Sequence, residues 1–318
     1  MRTRITEILG IEKPVFQGGM AWIADSRLAA AVSEAGGLGL ISSILGGADA
    51  VRAEIRKARE LTGKPFGVNI MLAAPEAPEI ARLVVEEGVG IVTTGAGTPA
   101  PYMEMWKEAG IKVIPVIASV AYALKVQELG ADAVIAEGAE SGGHIGEVHT
   151  MALLPQILDA VHIPVLAAGG IFDGRSAAAA FLMGAAGVQV GTRFLLAREC
   201  RVNPVYKERL IKASDIGTIV TGKSMGDAVR SLKTPFSKAF ARMEADPSVS
   251  ADELRSFGTG SLRKAVFDGD LAGGSFLAGE VAGLAKKEES AEEIVNDIIY
   301  GAEKILSGAP ELIYGTKQ

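Results

Sequence analysis

The stretch Ile135-Ala136-Glu137-Gly138-Ala139-Glu140-Ser141-Gly142-Gly143-His144-Ile145-Gly146 decides how this chain is read. An apolar run, Ala133–Ala136, ends abruptly in Glu137, and a histidine set among glycines follows. A buried strand opening into a functional loop has this layout. The glycines allow positive φ and the close approach of a flat ligand. An imidazole titrates near neutral pH and can move a proton.

Outward from this stretch the same pattern recurs. Apolar runs lie at Pro14–Gln17, Gly39–Ile41, Phe66–Ile70, Ile91–Thr94, Val113–Val116, Ala133–Ala136, Val165–Ala168 and Val188–Val190. Val and Ile dominate without alternating with polar residues, as in parallel strands covered on both faces. Between them lie helix-length segments, Ser26–Ala35, Ala48–Leu61, Glu76–Glu87, Pro101–Ala109, Ala121–Leu129, Leu153–Val161 and Arg175–Met183. Several are followed by the glycine that favours a helix C-terminus: Gly36, Gly88, Gly110, Gly130 and Gly184. Eight βα units predict an α/β fold, a (β/α)8 TIM barrel, with a doubly wound sheet as the alternative.

After Cys200 the texture changes. Residues 204–301 read as helical and charge-rich, with helices over Asp227–Arg242, Ala251–Arg263 and Ser290–Leu306 and no further strand run. The expected division is a barrel over residues 1–203, a smaller, mainly helical substrate or cap domain over 204–300, and a segment over 301–318 returning to the barrel. The tail Gly308–Gln318 is expected to be loosely held.

Composition narrows the function. The chain has 318 residues, 48% of them hydrophobic, with mean hydropathy +0.28, enough for a large core. A net charge of −6 argues against general nucleic-acid binding. Cys200, the single cysteine, excludes an internal disulfide and suits a reducing cytosol. No apolar run approaches the roughly 20 residues of a membrane span, and Met1–Ile5 lacks the apolar core of a signal peptide. The expectation is a cytoplasmic protein with neither membrane nor nucleic-acid partners.

Barrel enzymes carry their active sites at the C-terminal ends of the strands. That rule gathers Gln17-Gly18-Gly19-Met20, Asn69 with Met71, Thr93–Gly97, Glu137 with Ser141–His144, Ala168–Ile171 with Asp173-Gly174, and Gly191-Thr192-Arg193 at one mouth. Glycine-rich loops after the seventh and eighth strands, Gly169-Gly170 and Gly191-Thr192, offer unobstructed N–H groups to a phosphate. Of the three histidines, His144 follows the sixth strand on the active face, His149 lies just beyond it, and His162 precedes the seventh strand on the opposite face and reads as structural. Glu137 reads as a buried acid that can hold a ribityl or ribose hydroxyl, with a plain strand-end residue as the alternative.

Other motifs carry less. Gly217-x-x-x-x-Gly222-Lys223-Ser224 matches the phosphate-loop pattern, but its interior is β-branched and no strand run precedes it. No Gly-x-Gly-x-x-Gly occurs, Cys200 lacks a basic or glycine-rich nest, and no Cys/His group has metal-ligand spacing, so no metal is expected.

Several of these segments resemble one known family. Thr3–Glu7, Pro14–Trp22, Gly67–Met71, Val92–Gly97, Asp132–Gly146, Gly187–Phe194, Gly258–Gly260, Gly273–Ser275 and Glu288–Tyr300 resemble flavin-dependent enoyl-acyl-carrier-protein reductases II of the FabK type. These fall in a wider family with the nitronate monooxygenases, formerly 2-nitropropane dioxygenases, which share the Gly-Gly-His loop. The resemblance covers nearly the whole chain and implies an FMN-binding barrel. It implies FMN phosphate at Gly169, Gly170, Gly191 and Thr192, and the flavin ring near Gly19, Met20, Asn69 and Thr94. Glu137, Ser141, Gly142 and Gly143 would line the ribityl chain and ring edge, with Gly18, Ala168 and Gln189 completing the set. Ser141 stands where relatives often have Ala. His144 matches the family's active-site histidine.

The implied activity is reduction of trans-2-enoyl thioesters, such as enoyl-acyl carrier protein, by NADH or NADPH in bacterial fatty acid synthesis. The alternative is FMN-dependent oxidation of alkyl nitronates by O2, and a third reading is a non-catalytic flavin or phosphate binder. The resemblance also implies a homodimer. An acidic carrier protein calls for a basic patch, for which Arg230, Lys233, Lys238 and Arg242 are candidates.

Overall fold

The computed structural model describes the backbone of residues 1–314 and the side chains of residues 1–309. Strands and helices alternate along the first two thirds of the chain: α1 (Arg4–Leu9), β1 (Val15–Gln17), α2 (Ser26–Glu34), β2 (Gly39–Ser42), α3 (Ala48–Leu61), β3 (Phe66–Met71), α4 (Ala77–Glu86), β4 (Ile91–Gly95), α5 (Met103–Glu108), β5 (Lys112–Ile117), α6 (Val120–Glu128), β6 (Val134–Glu137), β7 (Gly143–His144), α7 (Thr150–Ala160), β8 (Val165–Ala168), α8 (Gly174–Leu182) and β9 (Gly187–Val190). All but β7 form one eight-stranded parallel sheet in the order β1-β9-β8-β6-β5-β4-β3-β2. Its edges meet where Leu38 N–H donates to Val15 O at 2.8 Å and Gln17 N–H donates to Leu38 O at 3.0 Å. The architecture is the expected (β/α)8 barrel.

Its strands follow the apolar runs because each is covered on both faces. Phe16, Leu40, Ile114, Ile135 and Leu166 fill the barrel interior together with Ile5 and Leu9 of α1, which plugs the N-terminal end. On the outer side, residues such as Val68 and Val92 pack against Ile55, Ile80 and Trp106 of the surrounding helices.

The remaining elements are α9 (Pro204–Ile211), β10 (Thr218–Thr221), β11 (Val229–Leu232), α10 (Pro235–Glu244), α11 (Ala251–Gly258), α12 (Ser261–Arg263) and α13 (Ala291–Tyr314). This region departs from the expectation of helices without strands. Residues 227–242 are not one helix: Val229–Leu232 pair antiparallel with Thr218–Thr221, and Pro235 begins α10 at its first turn. Proline suits that position and forbids an earlier start, since it donates no N–H and restricts the residue before it. The hairpin also pairs with β7, giving a three-stranded sheet β10-β11-β7 that joins the barrel's glycine loop to the later region.

Return to the barrel begins at Ala291 rather than at residue 301. Ala291, Ile294, Val295, Ile298, Ile299 and Ala302 form the buried stripe of α13, at the helical spacing of i, i+3 and i+4. Its backbone approaches α8 so closely that a Cβ on Gly174 would lie 2.4 Å from Gly301 C. Of the tail expected to be loose, 308–314 continue this helix and 315–318 lie outside the described residues. Among the described residues no helix is long and apolar enough to cross a membrane.

Candidate active site

A cavity of about 470 Å³ opens at the C-terminal ends of the barrel strands. It lies within the range of cofactor and ligand sites. Of the residues expected to hold the cofactor or act in catalysis, all but one line it: Gly18, Gly19, Met20, Asn69, Glu137, Ser141, Gly142, Gly143, His144, Ala168, Gly169, Gly170, Gln189, Gly191 and Thr192, whereas Gln17, Thr93, Gly97, Asp173, Gly174 and Arg193, expected at the same mouth, lie outside the lining. Thr94 is the exception. It is buried in β4, outside the lining, and it is the adjacent Thr93 whose hydroxyl donates to Asn69 Oδ1 at 2.9 Å.

Three glycine loops explain why this sequence folds around an open space. A Cβ on Gly19 would sit 2.3 Å from Asn69 Cβ, so only glycine permits β1 and β3 to present their loops together. Gly169 and Gly170 have φ of 83° and 75°, a region glycine enters without cost. Gly191 differs: no atom lies within 4 Å of a Cβ built there, so its open side faces unfilled space.

The loop after β6 is anchored at several points. Glu140 accepts the Thr150 N–H at 2.9 Å, which places a carboxylate at the N-terminus of α7, where the helix dipole favours it. Arg230 comes from the hairpin, is almost fully buried, and donates to Ala139 O at 3.0 Å through Nη2. The same nitrogen lies 2.9 Å from Glu280 Oε1. Arg230 is therefore inside the molecule and not part of a basic surface patch. Lys238 and Arg242 are exposed on α10, and Lys233 is half-buried.

The later region also supplies a wall. Leu277, Ala278, Gly279 and Val281 line the cavity, as does Leu262. Gly279 N–H donates to Thr192 Oγ1 at 2.9 Å, and Glu280 N–H donates to Glu140 O at 2.9 Å. A Cβ on Gly142 would lie 2.6 Å from Ala278 C, so the two backbones touch. These residues escaped the sequence reading. The small pair Ala278-Gly279 directly after Phe276-Leu277 was the available signal, since a glycine at such a break marks close backbone approach.

Electrostatics divide the site in two. At its depth, burial pushes the Glu137 carboxyl up to about 7, with the nearby Ser141 hydroxyl pulling the other way. Ser141 Oγ itself is buried and, apart from its approach to Glu137, has no hydrogen-bond partner. At the rim, His144 is 56% exposed, and its Nε2 lies 3.2 Å from Asp227 Oδ1. His149 is exposed and precedes α7, while His162 lies at the far end of β8 and is not in the lining.

Other candidates resolve as scaffold. Asp173 caps α8 by accepting the Arg175 and Ser176 N–H groups. Arg193 is buried, paired with Glu289 at 3.0 Å and Asp297 at 2.6 Å. Cys200 is buried, and burial raises its thiol to about 11. In the phosphate-loop look-alike, Thr218–Thr221 is strand β10, and the carboxylate of Glu244 accepts the Gly222 and Ser224 N–H groups, both at 2.9 Å. An internal anion thus takes the place a phosphate would need. Among the described residues no group of His, Cys, Asp and Glu could hold a metal.

The site fits FMN on its own geometry. The orphaned Ser141 hydroxyl offers a polar partner at depth. The open side of Gly191, beside Gly169 and Gly170, leaves the room and the N–H groups that a phosphate requires.

Comparison with known proteins agrees with this geometry. Residues 2–301 match the family described as nitronate monooxygenase. A solved structure of FabK from Thermotoga maritima superposes with a TM-score of 0.95 at 48% identity, covering 98% of this chain and 99% of that one. A (3aS,4S,5R,7aS)-5-hydroxy-7a-methyl-1-oxo-octahydro-1H-indene-4-carboxyl-CoA dehydrogenase from Mycobacterium tuberculosis is 38% identical over 98% of this chain and 99% of its own. A probable nitronate monooxygenase from Staphylococcus aureus is 31% identical over 96% of this chain and 98% of its own.

Proposed function

This chain belongs to the nitronate monooxygenase family and is an FMN-dependent oxidoreductase, and within that family we propose that it reduces trans-2-enoyl thioesters at the expense of NADH or NADPH. The observation that carries this reading is the full-length likeness to FabK at 48% identity, against 31% for the Staphylococcus aureus nitronate monooxygenase. The 38% identical relative is named for a coenzyme A thioester, the same substrate class.

In this reading Gly169, Gly170, Gly191 and Thr192 hold the FMN phosphate. Gly18, Gly19, Met20, Asn69 and Gln189 border the ring, while Glu137, Ser141, Gly142, Gly143 and Ala168 border the ribityl chain and ring edge. Bound FMN supplies the hydride chemistry, and the protein positions and polarises. The balance is one enoyl thioester, one NAD(P)H and one proton in, one saturated thioester and NAD(P)+ out. His144 stands at the rim with Nε2 turned to Asp227, which leaves Nδ1 to hydrogen-bond the thioester oxygen or deliver the proton to the α-carbon. Glu137, held largely protonated below pH 7, can donate a hydrogen bond without placing a second negative charge beside the cofactor. The leading setting is a cytoplasmic homodimer in bacterial fatty acid synthesis, acting on enoyl-acyl carrier protein.

The family's name favours a second reading, oxidation of alkyl nitronates with O2 and no nicotinamide. Anaerobic mixing of the yellow protein with NADH and then NADPH separates the two. Bleaching that crotonyl thioester reverses is expected. An unbleached flavin, with rapid nitronate turnover in air, would establish the second reading instead.

A further inference from the structure

Two backbone irregularities meet on one side of the cavity mouth. Trp22 has φ of 64°, one of two non-glycine residues with positive φ among the described residues, and its neighbours Ala21 and Ile23 line the cavity. For a bulky residue this conformation is an outlier that surrounding structure must hold in place. Across from it, α12 runs directly into a π-helical turn, Lys264–Asp268, a geometry uncommon in proteins and concentrated at functional sites. Leu262, within α12, lines the same cavity.

Arg263 joins the two. Its guanidinium carbon lies 5.8 Å from the Trp22 ring centroid and 5.6 Å from that of Phe267. The two rings meet edge to face at 6.1 Å. Arg263 and Lys264 are both exposed. Arg201, Arg230 and Arg255 each have a carboxylate within 3 Å, whereas among the described residues no ion pair engages Arg263 or Lys264. A cation held in place by two rings, with no anion of its own, beside a second unpaired cation, is arranged to receive an anion brought by a ligand. A planar guanidinium suits phosphate, which it can bind through two parallel hydrogen bonds.

We propose that Arg263, clamped by Trp22 and Phe267 and assisted by Lys264, docks the phosphate of a phosphopantetheine arm while the acyl thioester reaches past Leu262 into the cavity. This group is shared by coenzyme A and acyl carrier protein. The proposal rests on the enoyl thioester reading and adds the part of the substrate that the cavity itself does not contain.

The test uses FMN-loaded protein and three crotonyl thioesters: the phosphate-free N-acetylcysteamine ester, crotonyl-coenzyme A and crotonyl-acyl carrier protein. Arg263→Gln should raise KM for the phosphate-bearing substrates by about tenfold or more, the scale of a lost charge-assisted contact, with kcat and the phosphate-free ester little changed. Arg263→Lys, which keeps the charge but not the planar fork, should fall between. A rise for both phosphate-bearing substrates supports the shared arm, whereas a rise for only one places the contact on a part peculiar to that carrier and overturns the proposal. An equal change for the phosphate-free ester, or no change for any, overturns the proposal. Should the wild-type protein reduce none of the three, the enoyl thioester reading has failed, and calorimetric titration with coenzyme A judges the phosphate site alone. Binding weakened by Arg263→Gln supports it; unaltered or absent binding overturns it.

Discussion

Asp227 Oδ1 lies 3.2 Å from His144 Nε2, and the two belong to different parts of the chain. His144 sits on β7, inside the barrel's sixth loop, while Asp227 lies two residues before the start of β11 in the later hairpin. Pairing of β7 with β11, His144 opposite Val229, sets this distance. The histidine that the sequence singled out therefore depends on a carboxylate that it did not.

The magnitude of this pairing is limited by water. Both side chains are more than half exposed, and exposed ion pairs are worth about 0.2–1 kcal/mol. Asp227→Asn should lower kcat/KM by about fivefold at most, the fold-change that corresponds to the upper end of that range. His144→Ala should cost roughly 10²–10⁴-fold in turnover, the range of general acid–base help, with FMN content unchanged. Steady-state kinetics, with flavin absorbance as the control, check both.

Gly191 and Gly19 should respond differently to alanine. A methyl group at Gly191 meets no protein atom, so Gly191→Ala should leave the melting temperature of the flavin-free protein unchanged and weaken FMN retention. At Gly19 the methyl group collides with Asn69, and forced overpacking costs about 1–3 kcal/mol. Gly19→Ala should lower stability with or without FMN. Thermal melts of both forms distinguish the two effects.

Arg230→Met removes the donor to Ala139 O. Glu280 is 41% exposed and regains water, so the loss is mainly that of a buried carbonyl left without a partner, about 1–3 kcal/mol. Urea unfolding should show that loss. Amide exchange should speed up in residues 139–144 more than in the barrel strands, because Arg230 ties that loop to the hairpin.

Glu137 makes the stability of the flavin-free protein depend on pH. Its carboxyl is raised in the folded protein from 4.5 to about 7. Between those values the unfolded chain is ionised while the folded one stays protonated, so the unfolded state binds fewer protons and stability falls as pH rises. Stability contributed by the protonated acid is complete below pH 4.5 and lost as pH passes 7. Glu137→Gln should flatten that slope. Denaturant midpoints at pH 4.5, 5.5 and 7.5 would show it, and an unchanged slope would locate the dependence elsewhere.

The barrel was legible because its cause is local. A strand covered on both faces must be apolar at successive positions, and the helix after it must show one apolar stripe, so Val165–Ala168 and the segment that became α8 each carry their own record of burial. Active-face glycines were legible for a related reason: Gly169, Gly170 and Gly191 follow strand ends, where the barrel's geometry places its mouth. Thr94 was misplaced by a single residue of alternation. Adjacent side chains on a strand point to opposite faces, and it is Thr93 that reaches Asn69.

The later region was legible only in part. Two-residue β7 has no apolar run, and Val229–Leu232 lies among charges that imitate a helix, so nothing local announces that they pair. Arg230 has the composition of a surface residue; burial and the Ala139 carbonyl make it internal. Residue order along the chain was enough for the eight βα units, the glycine loops and the histidine between them, since each depends on neighbours a few positions away. The wall at Leu277–Val281, the carboxylate beside His144 and the ringed Arg263 required the folded chain, because hydrogen bonds and packing between distant segments leave no periodic trace in either one.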